Sequence, residues 1–173
     1  MDSQYADEKK EVAIVEDEKE LAELYDHWLN REHNVSIANT GEEALEIIKP
    51  STDIVLLDRR LPDISGDEVL GVIRDRGIDC PVAMISAVDP DPDILKLDIE
   101  DYVTKPVTDD ELQNTVQELF RRKKLNYKLQ EYLTQVTKKE TLESEYPIAE
   151  LQRNNAYEAV RTELQQLRNE LTT

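Results

Sequence analysis

The stretch Asp53-Ile54-Val55-Leu56-Leu57-Asp58 decides the fold. Its four central residues are apolar and two of them are β-branched, so a strand made from them has no polar face to offer water and must be covered on both sides. It closes on a carboxylate. Working outward, three more apolar runs end the same way, on a polar side chain: Val12–Val15 on Glu16 and Asp17, Pro81–Ile85 on Ser86, and Asp101–Thr104 on Lys105. Val35–Ala38 supplies a fifth strand.

Amphipathic stretches separate these runs. Glu20–Leu29 places Leu21, Leu24, Tyr25, Trp28 and Leu29 on one helical face. Thr40-Gly-Glu-Glu43 and Thr108-Asp-Asp-Glu111 are capping boxes, opening one helix through Ile48 and another that passes Phe120. Asp67–Arg76 reads as a helix with Val69, Leu70 and Ile73 inward, and a brief helix is expected around Ile94–Leu97, after Pro90 and Pro92. Five buried strands alternating with helices predict an α/β fold, a parallel sheet covered on both faces. In such sheets function gathers where the strands end.

The 173 residues suffice for one domain and a small second element. The chain lacks an apolar run of membrane-spanning length, and its polar start, MDSQYADEKKE, lacks a secretory signal, so a cytoplasmic protein with a mobile tail over residues 1–10 is expected. The lone Cys80 fits a reducing compartment. There are 39 acidic and 21 basic residues, a net charge of −18. The excess is uneven: residues 1–124 hold 31 acidic against 15 basic side chains, residues 125–173 only 8 against 6. Such a surface disfavours nucleic acid, whose binding needs clustered Lys and Arg. It suits a salt-saturated, halophilic cytoplasm, where screening contracts to about 3 Å at 1 M ionic strength.

If the strand ends converge, Glu16, Asp17 and Asp58 share a small volume and demand a compensating cation. A hard divalent ion with oxygen ligands is the natural choice, and Mg²⁺ takes one or two carboxylates together with phosphate oxygens. Lys105 adds a point charge suited to phosphate, and the Ser86 hydroxyl can donate to a phosphoryl oxygen. Such a set suits in-line phosphoryl transfer to a carboxylate.

Four motifs, VAIVEDE at 12–18, VLLDRRLPDISG at 55–66, MISA at 84–87 and DYVTKP at 101–106, make residues 11–122 resemble the receiver domain of two-component response regulators. The resemblance implies a flavodoxin-like, doubly wound sheet of strand order 2-1-3-4-5. It implies that Asp58 is the phosphoacceptor, fed by a sensor histidine kinase. It implies that Asp17 and Glu16 hold Mg²⁺ with Asp58 and the backbone carbonyl of Arg60, and that Lys105 pairs with the acyl phosphate. Ser86 and Tyr102 resemble the switch pair, and Lys105–Pro106 a bond that is cis in the family. Asp98 and Ile99 depart from the family pattern, which has Gly-Ala there, and the shortened stretch from Ser86 to Tyr102 leaves little room for a fourth helix. On this reading the chain is no enzyme beyond self-phosphorylation and autodephosphorylation. The alternative, an aspartyl-phosphate hydrolase, usually places an acid/base Asp two residues after the nucleophile, where Arg60 stands.

Behind the receiver, residues 123–173 form a helical, coiled-coil-like segment. Leu125, Leu129, Tyr132, Leu133 and Val136 continue in helical phase, Thr137–Pro147 is expected to interrupt, and Tyr157, Val160, Leu164, Leu167 and Leu171 form a second seam. The two stretches predict an antiparallel hairpin or pairing between subunits. A homodimer through the helix opening at Thr108 and the C-terminal helices is one expected assembly. With its junction Arg121-Arg-Lys-Lys124, the pattern LNYKLQEYL and the element KKETLE, the segment resembles the HalX domain of haloarchaeal response regulators. It contains no recognised DNA-reading motif, so transcription regulation rests on the resemblance.

Overall fold

The structure, a computed structural model, describes residues 8–173. Residues 1–7 of the expected tail lie outside the described residues. The described chain divides into two compact units, the first ending at Arg121 and the second spanning Arg122–Thr173.

In the first unit the order is β1 (Lys10–Val15), α1 (Lys19–Leu29), β2 (His33–Ala38), α2 (Gly41–Ile47), β3 (Ile54–Leu57), α3 (Gly66–Asp75), β4 (Val82–Ser86), a 3₁₀ turn (Pro92–Lys96) and β5 (Asp101–Thr104). The five strands form one parallel sheet in the order β2-β1-β3-β4-β5, as the resemblance implies. β3 and β4 are buried at every position. Alternate residues feed two cores. Val55, Leu57, Val82 and Met84 pack with Val69, Leu70 and Ile73 of α3, while Ile54, Leu56, Ala83 and Ile85 pack with Tyr25 and Leu29 of α1. Leu112, Val116 and Leu119, from the first turns of α4 (Asp109–Glu145), complete the second core.

The caps explain where the helices begin. Thr108 and Glu111 form the full reciprocal box, each side chain accepting from the other's backbone N–H. Thr40 accepts from Glu43, but the Glu43 carboxylate reaches back one residue further than expected, to Asn39 N. α3 starts at Gly66 rather than Asp67 because Ser65 caps it, accepting from Glu68 N at 3.1 Å. The expected fourth helix is only the 3₁₀ turn: Pro92 starts it, and Leu97 has already returned to extended backbone. Behind it Arg74 donates to the carbonyls of Ile78, Cys80 and Asp98, fastening the approach to β5.

In the second unit α4 runs unbroken to Glu145, which corrects the interruption expected from Thr137. That stretch is polar, yet its Lys, Glu and Leu residues are good helix formers, and only Pro147 removes a backbone donor. Pro147 leads into α5 (Ile148–Leu151), and Asn154 then caps α6 (Asn155–Thr172) by accepting from Ala156 N and Tyr157 N. The last part of α4 and α6 lie antiparallel, joined by Lys128–Glu170, Gln135–Glu163 and Glu143–Tyr157. The hairpin reading therefore holds. The first seam is placed differently: Leu125, Leu129 and Leu133 stay 39, 43 and 48% exposed, while Tyr132, Gln135 and Val136 turn further inward.

Candidate phosphoryl site

Parallel pairing brings the strand ends together. Glu16 N donates to Ala38 O, Asp58 N to Val15 O and Lys105 N to Ser86 O, so each polar terminal residue is pinned to the strand beside it. Asp58 therefore emerges next to Glu16, and Lys105 next to Ser86. Asn39 Nδ2 secures the Glu16 carbonyl at 2.9 Å.

Lys105 Nζ bridges the two buried carboxylates, 2.7 Å from Glu16 Oε2 and 2.9 Å from Asp58 Oδ2. The second oxygens are also held. Glu16 Oε1 accepts from Glu18 N at 3.2 Å, and Asp58 Oδ1 from Arg60 N at 3.0 Å. Glu16 and Asp58 are only 1% and 5% exposed. Burial pushes the Glu16 carboxyl up to about 7, and the charge of Asp58 pushes the same way; the hydrogen bond from Lys105 opposes both. The Lys105 ammonium, despite desolvation, is held up to about 12 by its two carboxylate partners. One ammonium thus faces two carboxylates with little water.

Asp17 completes the acidic group from the exposed side. Glu16, Asp17 and Asp58 each offer an oxygen, and these lie within 4.8 Å of one another. A shared hard cation needs that spacing and that donor set, so the residues fit Mg²⁺. Ser86 is fully buried at the end of β4, its Oγ accepting from Val88 N at 3.2 Å. Tyr102 is half-buried in β5, and its hydroxyl donates to Val88 O at 2.6 Å, so both residues engage the same loop. The Lys105–Pro106 bond is cis.

Several supporting residues escape the sequence reading. Arg59 makes a two-pronged contact with Asp67, Nε to Oδ1 at 3.0 Å and an Nη to Oδ2 at 3.1 Å, tying the segment after β3 to the first turn of α3. Gly66 lies so close behind the site that a Cβ would meet Asp58 O at 2.3 Å and Arg59 Cα at 2.8 Å. Asp63 accepts from Gly41 N and Glu42 N at 2.8 Å each, and these bonds hold its carboxyl down to about 2. The glycine closing the 55–66 motif was the one available signal. The Arg59–Asp67 clasp left none, since two charged residues eight apart normally end in water.

Comparison with known proteins finds relatives for both parts of the chain. Residues 12–117 match the response regulator receiver domain, and residues 121–173 match the HalX domain. A Haloferax volcanii protein named as a transcriptional regulator is 39% identical over 160 residues, covering 92% of this chain and 27% of its own length. The alkaline phosphatase synthesis transcriptional regulatory protein PhoP of Bacillus subtilis is 34% identical over 123 residues, 67% of this chain and 50% of its own. The chain therefore spans from about a quarter to half the length of these relatives. Among solved structures, the response regulator TrrA of Thermotoga maritima, in complex with Mg²⁺ and a beryllium fluoride, is 32% identical with a TM-score of 0.56, covering 64% of this chain and 98% of TrrA.

Proposed function

The chain belongs to the response regulator receiver family and carries a HalX domain behind the receiver, and on that premise we propose that it is a signalling switch phosphorylated on Asp58. The observation that carries this reading is Lys105 bridging Glu16 and Asp58 at 2.7 and 2.9 Å, with Asp17 at the rim. The receiver spans residues 11–122, and the helical output domain 123–173.

The donor is the phosphohistidine of a sensor kinase. An Asp58 carboxylate oxygen attacks phosphorus as the bond to the imidazole breaks, and the imidazole takes up a proton. Glu16, Asp17, Asp58 and the Arg60 carbonyl would hold Mg²⁺, which would supply charge neutralisation at the phosphoryl oxygens. Lys105 is already in hydrogen-bond reach of Asp58, so it can follow the new negative charge without leaving its strand end. Ser86 and Tyr102 are the switch pair; both hold Val88, and a Ser86 hydroxyl turned toward the phosphoryl group gives up that bond. The chain's own chemistry ends with hydrolysis of the acyl phosphate, because Arg60 stands where a hydrolase has its acid/base Asp.

Output passes through the helical domain to a protein partner or a second copy, with regulation of transcription as its effect. No helix among the described residues is long and apolar enough to cross a membrane. A cytoplasmic protein is proposed because the receiver has to meet the kinase that feeds it. Acetyl phosphate with Mg²⁺ should add one phosphoryl group to the chain, read by intact mass, and Asp58→Asn should remove it. Undiminished labelling of that variant refutes the assignment.

A further inference from the structure

The helical unit is short of buried apolar surface. Its only buried apolar side chains are Leu151, Tyr157 and Leu167, yet it holds seven of the nine large hydrophobic residues exposed on the described chain. Two helices joined by a turn make too thin a layer to bury a core of their own, and domains of about this size commonly complete one by association. Three of the seven, Leu125, Leu129 and Leu133, fall on one line of α4. Leu129, Leu133, Val136 and Glu140 follow one another at spacings of four, three and four, so they share one stripe of α4. Beside that stripe runs a groove of about 710 Å³, floored by Tyr132, Val136 and Leu164.

The charges on the rim of the groove choose the occupant. Lys139 pairs with Glu143 at 2.7 Å, and Arg161 with Glu158 at 3.1 Å. Glu140 and Arg168 also line it, and among the described residues neither side chain has an ion-pair or hydrogen-bond partner. The antiparallel register set by Gln135–Glu163 and Glu143–Tyr157 puts Arg168 level with about residue 130 of α4, ten residues from Glu140. At 1.5 Å per residue they stand about 15 Å apart along the hairpin. A two-fold axis through the middle of the groove exchanges the two ends. Each Arg168 then meets the Glu140 of the other copy, whereas parallel stacking would oppose like charges.

We propose that this face is a self-association surface: two copies of the chain stack hairpin on hairpin, antiparallel, burying Leu129, Leu133 and the groove floor as a four-helix bundle. The proposal rests on the reading above only in taking the helical domain as the output region, and Asp58→Asn, which abolishes phosphorylation, should leave a resting dimer intact.

Sedimentation of the full-length chain, at the lowest KCl concentration that keeps its far-UV spectrum folded, should show a dimer. Leu129→Glu with Leu133→Glu should weaken association at least a hundredfold while the folded spectrum persists. Arg168→Glu alone should weaken it about tenfold, since two rim pairs turn repulsive. Adding Glu140→Arg to that variant should restore it, which mere damage to the hairpin would not allow. A monomeric wild-type chain at millimolar concentration overturns the proposal. So does an undiminished dimer in the double-leucine variant, or failure of the charge exchange to restore association.

Discussion

Glu16→Gln should make the resting protein more stable at alkaline pH while weakening its affinity for Mg²⁺. In the folded chain burial raises the Glu16 carboxyl to about 7, against an ordinary value of 4.5. A raised folded value means that the group's contribution to stability is fully present below pH 4.5 and is lost as pH rises through about 7. The gap corresponds to about 3 kcal/mol between the two limits. Glutamine keeps the shape and one acceptor oxygen but cannot serve both Lys105 Nζ and Glu18 N. Losing one such hydrogen bond costs about 1 kcal/mol. In EDTA at one fixed KCl concentration, Glu16→Gln should therefore be about 1 kcal/mol less stable than wild type at pH 4.5 and about 2 kcal/mol more stable at pH 8. Urea unfolding followed by the single Trp28, which packs against Tyr25 with ring centres 5.8 Å apart, reads the difference. Saturating Mg²⁺ should stabilise wild type at pH 8 more than the variant. Parallel stability curves for the two proteins from pH 4.5 to 8 refute the reasoning.

Three other perturbations test the frame around the site. Gly66→Ala places a methyl group 2.3 Å from Asp58 O, so backbone must shift; a loss of about 2 kcal/mol in urea unfolding and at least tenfold slower phosphorylation are expected, against wild-type rates if the contact is slack. Arg74→Ala strips donors from the carbonyls of Ile78, Cys80 and Asp98 and should cost about 3 kcal/mol, with faster amide exchange across residues 97–101. Asp63, held down to about 2 by two backbone N–H groups, contributes stability above pH 3.8 that is lost as pH falls through about 2. Asp63→Asn should accordingly be the less stable protein at neutral pH, and calorimetric scans should show the difference closing between pH 3.8 and 2.

The site was more legible than its support. Glu16, Asp58, Ser86 and Lys105 each close an apolar run, and a parallel sheet has no choice but to bring such ends together, so one rule about strands located four residues from distant parts of the chain. The caps were legible for a similar reason: the side chains of Thr108 and Glu111 bond to each other's backbone. What sequence concealed depends on tertiary context. Thr137–Glu145 looked like a connection because it is polar, but polarity marks exposure, and an exposed stretch of helix formers stays helical until Pro147. The leucines at 125, 129 and 133 promised a buried seam, and helical phase alone could not say which side of the stripe α6 would cover. Arg74 carried no signal, since three of its partners are backbone carbonyls, which every residue has, and its carboxylate partners Asp98 and Glu100 stand 24 and 26 residues away.

The acidity of the chain first argues against giving any one aspartate a meaning, and burial reverses that argument. Of the 39 acidic residues, the described structure buries two, Glu16 and Asp58, and it buries them together. An acidic surface costs little in salt, because the charges stay in water and are screened. A carboxylate at 1 or 5% exposure has lost that water, and two beside each other lose more. Lys105 offsets one negative charge of the pair, leaving a buried excess that a core optimised for stability alone would replace with apolar side chains. The carboxyl end of the sheet therefore retains an unfavourable charge arrangement at the point where Asp17 opens it to solvent. A second cation relieves it, and an incoming phosphoryl group sharpens the need for that cation. Those are the conditions under which a carboxylate is useful as an acceptor rather than as part of the surface.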